Sequence, residues 1–288
     1  MKNLVIAIFA AAIFVAILMA NRIYSRPSET PEETKTVTDY HGNIIVIPET
    51  EKSDEPWTPP VVNISADTNP ASYTNPRAPI YAIPSSSDSA RDFFSDAAFI
   101  GDSITVMLKA HNEVTNVLGD AKFIAKEGFG VGHAVNGTML PEYEGNFASP
   151  EVALEMSGAR KVFIMLGTND VGVFGVDQTI EKWYTFIGRL REKCPDIQIY
   201  IQSCTPVWTG KEDEGITNAA IDKLNQGLAE FARENGCCFI NTSPYMKDST
   251  GGLPDMYTSD FYVHLNNTGA DAWAKILLAY ADAIMAKE

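Results

Sequence analysis

Cysteine and histidine are both scarce in this chain, four of each in 288 residues. None of the cysteines, Cys194, Cys204, Cys237 and Cys238, stands in the paired CxxC spacing of a zinc site. They read as buried apolar thiols, and a disulfide stays open because the N-terminus has the character of an export segment. The His and acid groups near Asp102 and Asp170 are too few for a two-metal cluster, so no metal and no cofactor is expected. Positive charge is also short, with 22 Lys and Arg against 37 Asp and Glu and a net charge of −15. The negative balance therefore argues against a nucleic-acid groove, through phosphate repulsion, and against docking on anionic lipid through a basic patch. The same excess favours neutral or cationic substrates, weakly at physiological salt. No internal repeat is present, and the length suits one good-sized domain plus extras.

What the chain does have begins with an apolar run at residues 4–20, flanked by Lys2, Arg22 and Arg26. Its length is at the short end for a membrane-spanning helix and at the long end for a signal-peptide core. Leu18-Met19-Ala20 makes a poor small-x-small cleavage site. The run (residues 1–25 with its flanks) is therefore read as an uncleaved membrane anchor, with secretion as the outcome if it is cleaved. Either way the bulk of the chain is expected outside the cytoplasm. Residues 26–90 are rich in Pro, Ser, Thr and acid and read mostly as a tether, because such a segment buries too little apolar surface to offset its chain entropy. The short apolar stretch "NIIVIP" is the exception and could pair as a strand.

From residue 91 to 288 strand-like and helix-like patterns alternate. "AAFIGDS", "AKFIAKEG", "RKVFIMLGTND", "IQIYIQSCTPV" and "CCFINTSPYM" are five strand candidates. Between and after them lie segments with apolar residues at helical spacing, ending in "NTGADAWAKILLAYADAIMAK". This order predicts an α/β fold: three layers, with a five-stranded, mostly parallel sheet between helices, of flavodoxin-like type. In such sheets functional groups gather at the carboxyl ends of the strands. Ser103 follows the first strand, Gly128 and Gly130 the second and Asn169 the third, while His264 precedes the last helix. All would crowd onto one edge.

The stretch "AFIGDSITVM", residues 98–107, allows two readings. Gly-Asp-Ser is good turn and helix-capping chemistry, or Ser103 is a nucleophile held at a strand end. Its partners favour the second. "FIGDSIT", the glycine turn in "KEGFGVGHA", "LGTND" and "SDFYVHLN" stand in the order of the blocks of the SGNH/GDSL hydrolase family, which the chain resembles from about residue 95 onward. The resemblance implies an esterase in which Ser103 attacks an acyl carbonyl and His264 is the base that a neutral hydroxyl needs. His41 falls in the tether and His111 early in a helix, so His133 is the one competitor, and it could instead line the cleft. Three oxyanion donors are implied: the Ser103 amide, an amide of the glycine turn at Gly128, Gly130 or even Val131, and the Asn169 carboxamide. The family usually sets its aspartate three residues before the histidine, where this chain has Phe261. Asp260, four before, is the expected triad acid, with Asp255 a distant second.

For substrate, an exported and tethered domain points to short acyl esters, O-acetyl groups above all, on carbohydrate or cell-wall polymer. Trp208 could stack on a sugar face. A shallow cleft with an aromatic rim would favour carbohydrate, and a deep apolar tunnel lipid. Two other readings stand beside this one: a catalytically inactive surface module that binds carbohydrate, and an acyltransferase using the same serine.

Overall fold

The computed structural model describes residues 36–38, 44–46, 57–212 and 216–287. The apolar run 4–20 and most of residues 26–56 lie outside the described residues. Among the described residues no helix is long and apolar enough to cross a membrane. Strands β1 (Thr36–Thr38) and β2 (Ile44–Val46) pair antiparallel, so "NIIVIP" does contribute a strand.

The main sheet is built from β3 (Ala97–Gly101), β4 (Lys122–Ala125), β5 (Glu142–Tyr143), β6 (Asn146–Phe147), β7 (Lys161–Met165), β8 (Gln198–Gln202) and β9 (Cys238–Ile240). Their order is β6-β5-β4-β3-β7-β8-β9. The five predicted strands form its parallel core, and the sheet has seven strands rather than five. The extra pair is a tight hairpin added antiparallel to the free edge of β4. Its turn residues Glu144 and Gly145 both take positive φ, 50° and 79°, the backbone that a two-residue hairpin turn requires.

Among the described residues six helical elements cover the sheet: α1 (Ser103–Thr115), α2 (Val131–Asn136), α3 (Pro150–Ser157), α4 (Thr168–Lys193, kinked at Gly175), α5 (Asn218–Glu234) and α6 (Asn267–Met285). Successive side chains of a strand point to opposite faces, so each strand feeds two cores. Ile100, Ile124, Ile164 and Ile201 meet α2 to α5 on one face. Phe99, Phe123, Phe163 and Tyr200 meet α1, α6 and the 3-10 turn at Asp88–Phe94 on the other. The register sets Phe123, Phe99, Phe163 and Tyr200 side by side on adjacent strands. Phe163 stacks on Tyr200 at 4.6 Å and on Phe99 at 5.0 Å between ring centroids. Phe163→Ala would open a void that the flanking strands cannot close. It should cost about 3–5 kcal/mol of stability, read as a lower denaturant midpoint at unchanged slope.

The tether reading, residues 26–90, does not describe the part from Trp57 on. Trp57 packs on Tyr200 with centroids 5.4 Å apart, Val62 is buried in the aromatic core, and Tyr81 packs on Tyr245. This strap closes the face that Tyr200 would otherwise show to water. Three of the four cysteines, Cys204, Cys237 and Cys238, are buried thiols, and burial pushes Cys204 and Cys238 up to about 12 and Cys237 to about 11.

Candidate active site

Three strand ends and one loop supply the site. At the end of β3, a Cβ on Gly101 would lie 1.9 Å from the Thr105 hydroxyl, so glycine is what lets α1 start at once. Asp102 caps α1, its carboxylate accepting the Ile104 amide at 2.9 Å. Ser103 is therefore the first helical residue, with its amide free of any intrahelical acceptor.

The turn after β4 contains two glycines of different kinds. Gly128 has φ +68°, lines the cleft, and has open space where a Cβ would be. Gly130 caps α2 with extended backbone, and a Cβ there would lie 2.6 Å from both carboxylate oxygens of Asp170. Asp170 accepts the Val131 and Gly132 amides at 2.9 and 2.8 Å. Gly130 is thus needed where α2 abuts the acid, and it does not line the cleft.

After β7, Gly167 takes φ +132° and α4 begins at Thr168. The Asn169 carboxamide nitrogen donates to the Phe129 carbonyl at 2.9 Å and lies 3.3 Å from Asp102 Oδ2. The second of these contacts is long and weak, so a better acceptor in the cleft could replace it.

His264 arrives on the loop before α6. Its Nε2 lies 3.1 Å from Ser103 Oγ, and its Nδ1 lies 2.7 Å from Asp260 Oδ2. A carboxylate can only accept, so Nδ1 carries the proton and Nε2 offers its lone pair to the serine. The other oxygen, Asp260 Oδ1, accepts the Tyr262 amide at 2.9 Å and the His264 amide at 3.2 Å. The extra residue between acid and base is absorbed at Phe261, whose φ of +51° is left-handed. For a non-glycine residue this costs roughly 1–2 kcal/mol. Asp255 does not reach His264. It accepts the Trp208 indole N–H at 2.7 Å and Arg77 Nε at 2.9 Å.

The electrostatics divide the acids. Partial burial raises the Asp260 carboxyl, but hydrogen bonds from the His264 side chain and from the His264 and Tyr262 amides outweigh it and hold the group below its ordinary value. Burial pushes Asp102 up to about 7 against the Ile104 amide, with the Asp170 charge adding to the rise. Burial also raises Asp170, opposed by its two helix amides.

Ser103, Gly128, Thr168, Asn169 and His264 surround a cleft of about 580 Å³, with Met107, Val263 and Tyr262 among its apolar walls. Two expected substrate contacts are not there. Trp208 does not line the cleft; its ring packs edge-on against Phe261 at 5.5 Å. His133 turns instead onto Phe129, stacked at 6.2 Å, and leaves the cleft to others. Asp170 also supports the site, by holding the Val131 and Gly132 amides, and no sequence signal marks it. It directly follows Asn169, but its partner is the end of another helix, which spacing alone does not reveal. Among the described residues no group of three or more His, Cys, Asp and Glu side chains is placed to hold a metal ion.

Residues 99–272 match the model of the GDSL-like lipase/acylhydrolase family. A search of curated protein sequences finds no match. Among solved structures the chain is similar to a protein from Streptococcus pneumoniae proposed as a platelet activating factor, with 21% identity and a TM-score of 0.52 over 67% of this chain and 92% of that one. It is also similar to a GDSL-like lipase from Bacteroides thetaiotaomicron, with 18% identity and a TM-score of 0.51 over 69% of this chain and 91% of that one. At these identities the likeness concerns the fold.

Proposed function

Because the chain belongs to the GDSL-like lipase/acylhydrolase family and is a carboxylic ester hydrolase, we propose that it works through an acyl-enzyme on Ser103, with His264 as base and Asp260 as its orienting acid. The observation that carries this reading is the continuous hydrogen-bond chain from Ser103 Oγ through His264 to Asp260 at the wall of the cleft. As Ser103 Oγ attacks the ester carbonyl, its proton passes to His264 Nε2. The imidazolium so formed is stabilised by the Asp260 carboxylate. The carbonyl oxygen becomes an oxyanion held by the Ser103 amide, the Gly128 amide and the Asn169 carboxamide. Gly128 is preferred to Gly130 because it faces the cleft while Gly130 backs onto Asp170. Collapse expels the alcohol, which takes the proton from His264. Water, activated by the same base, then frees the acid and restores Ser103.

The preferred substrates are short acyl esters, O-acetyl groups foremost, carried by a carbohydrate or cell-wall polymer. The His264 side chain is 39% exposed, so the alcohol side of the site is open enough for a bulky polymeric leaving group. The apolar run 4–20 supports export and attachment to a membrane, where such polymers would be met. The test is a panel of nitrophenyl acetate, acetylated xylan, acetylated peptidoglycan and a lysophospholipid. Acetyl esters should be cleaved, with at least one acetylated polymer turned over faster than the lysophospholipid. Preference for the lysophospholipid would overturn the carbohydrate reading and leave the esterase reading intact.

A further inference from the structure

The turn that carries Asp260 and His264 makes few hydrogen bonds to the rest of the domain. It is partly exposed, its central Phe261 is in a left-handed conformation, and its hydrogen bonds run mostly within itself. Support comes from outside. The Trp208 amide donates to the Tyr262 carbonyl at 2.8 Å, and the Trp208 ring meets the Phe261 ring edge-on. Trp208 is fixed in turn by two groups. Asp255 takes its indole N–H, and the Arg77 guanidinium lies over its ring, 4.7 Å from the centroid.

Arg77 belongs to the strap, outside the residues that match the family. Its Nε donates to Asp255 at 2.9 Å, and its Nη1 pairs with the fully buried Asp248 at 3.0 Å while also reaching the Thr209 and Thr250 hydroxyls. One planar cation thus neutralises a buried acid, orients a second acid and roofs an indole. A lysine, with a single charged atom, could not span all three.

We propose that Arg77 is a positioning residue for the Asp260–His264 pair, acting through Trp208. The strap then has a part in catalysis beyond covering the sheet. The assignment rests on the serine-esterase reading above, whose own test is the Ser103→Ala variant; activity in that variant would fail the mechanism without touching the comparison below.

The experiment measures kcat and KM on nitrophenyl acetate for Arg77→Gln, Trp208→Leu and the double variant, with melting curves to verify folding at the assay temperature. A shift of the catalytic pair by a fraction of an ångström should lower kcat roughly tenfold. KM should stay within about twofold, because Arg77 does not line the cleft. Since both residues act along one route, the double variant should lose no more than about twofold beyond the worse single one. Unchanged kcat, a loss carried by KM, or losses that multiply in the double variant would each overturn the proposal. Arg77→Gln leaves Asp248 buried and unpaired and can unfold the protein. In that event the pair Arg77→Gln with Asp248→Asn, which removes both charges together, replaces it under the same criteria.

Discussion

Ser103→Ala is expected to reduce kcat on a short nitrophenyl ester by about 10⁴-fold or more while leaving the fold as stable as before. The two halves of this expectation have separate causes. In the structure the hydroxyl points to His264 Nε2, 3.1 Å away, and among the described residues no other side-chain oxygen is bonded to that nitrogen. Without it only the oxyanion donors and substrate binding remain, and these give the residual rate typical of triad knockouts. Stability is spared because the cap of α1 is Asp102, not Ser103, and its bond to the Ile104 amide survives. Alanine is well suited to the first turn of a helix. Absorbance assays beside a thermal melt read both quantities. Wild-type turnover in the variant would remove Ser103 from the mechanism.

The second large effect is expected at the acid. Asp260→Asn keeps an oxygen for the Tyr262 and His264 amides, so the turn can hold its shape. The other position becomes an NH₂, a donor facing His264 Nδ1. Two donors cannot share that contact, so the imidazole takes the tautomer with hydrogen on Nε2 and can no longer accept the serine proton. A loss on the order of 10³-fold to 10⁴-fold in kcat is expected, with little change in KM. Because its hydrogen bonds keep the wild-type carboxyl below its ordinary value, Asp260 is already ionised well under neutral pH. The wild-type carboxyl itself should therefore add no step to the pH profile in the neutral range. An unaltered rate in Asp260→Asn would pass the orienting role to some other group.

What could be read in the sequence follows the range over which each contact acts. The five central strands were legible because each carries apolar residues in succession, buried on both faces in β3, β7 and β8. The hairpin at Glu142–Tyr143 and Asn146–Phe147 was not, since two residues per strand leave no periodicity and Pro141 and Gly145 punctuate the stretch. Ser103 and Asn169 could be gathered from topology, because parallel strands deliver their ends to one edge, and His264 from its block just before the last helix. The choice between Gly128 and Gly130 could not, as it depends on an acid 40 residues further along lying behind the second glycine. Whether Trp208 and His133 reach the cleft could not be decided from sequence for a related reason. An aromatic beside a loop looks available until its partners, here Asp255, Arg77 and Phe129, are known. The strap was hidden by its composition. Its few anchors, Trp57, Val62, Ala78 and Tyr81, are scattered among prolines and hydroxyls.

The aromatic face of the sheet bears on where the enzyme can be cut. Phe93 and Phe94, which cover Phe163, stand before residue 99, and Ile276, Leu277 and Ile284 of α6 stand after residue 272. A polypeptide trimmed to the recognisable family segment would leave that face bare from both ends and expose a broad oily surface prone to self-association. The smallest part that can stand alone is therefore longer than the part that reveals its ancestry, and swapping such segments between relatives would carry the chemistry without its cover.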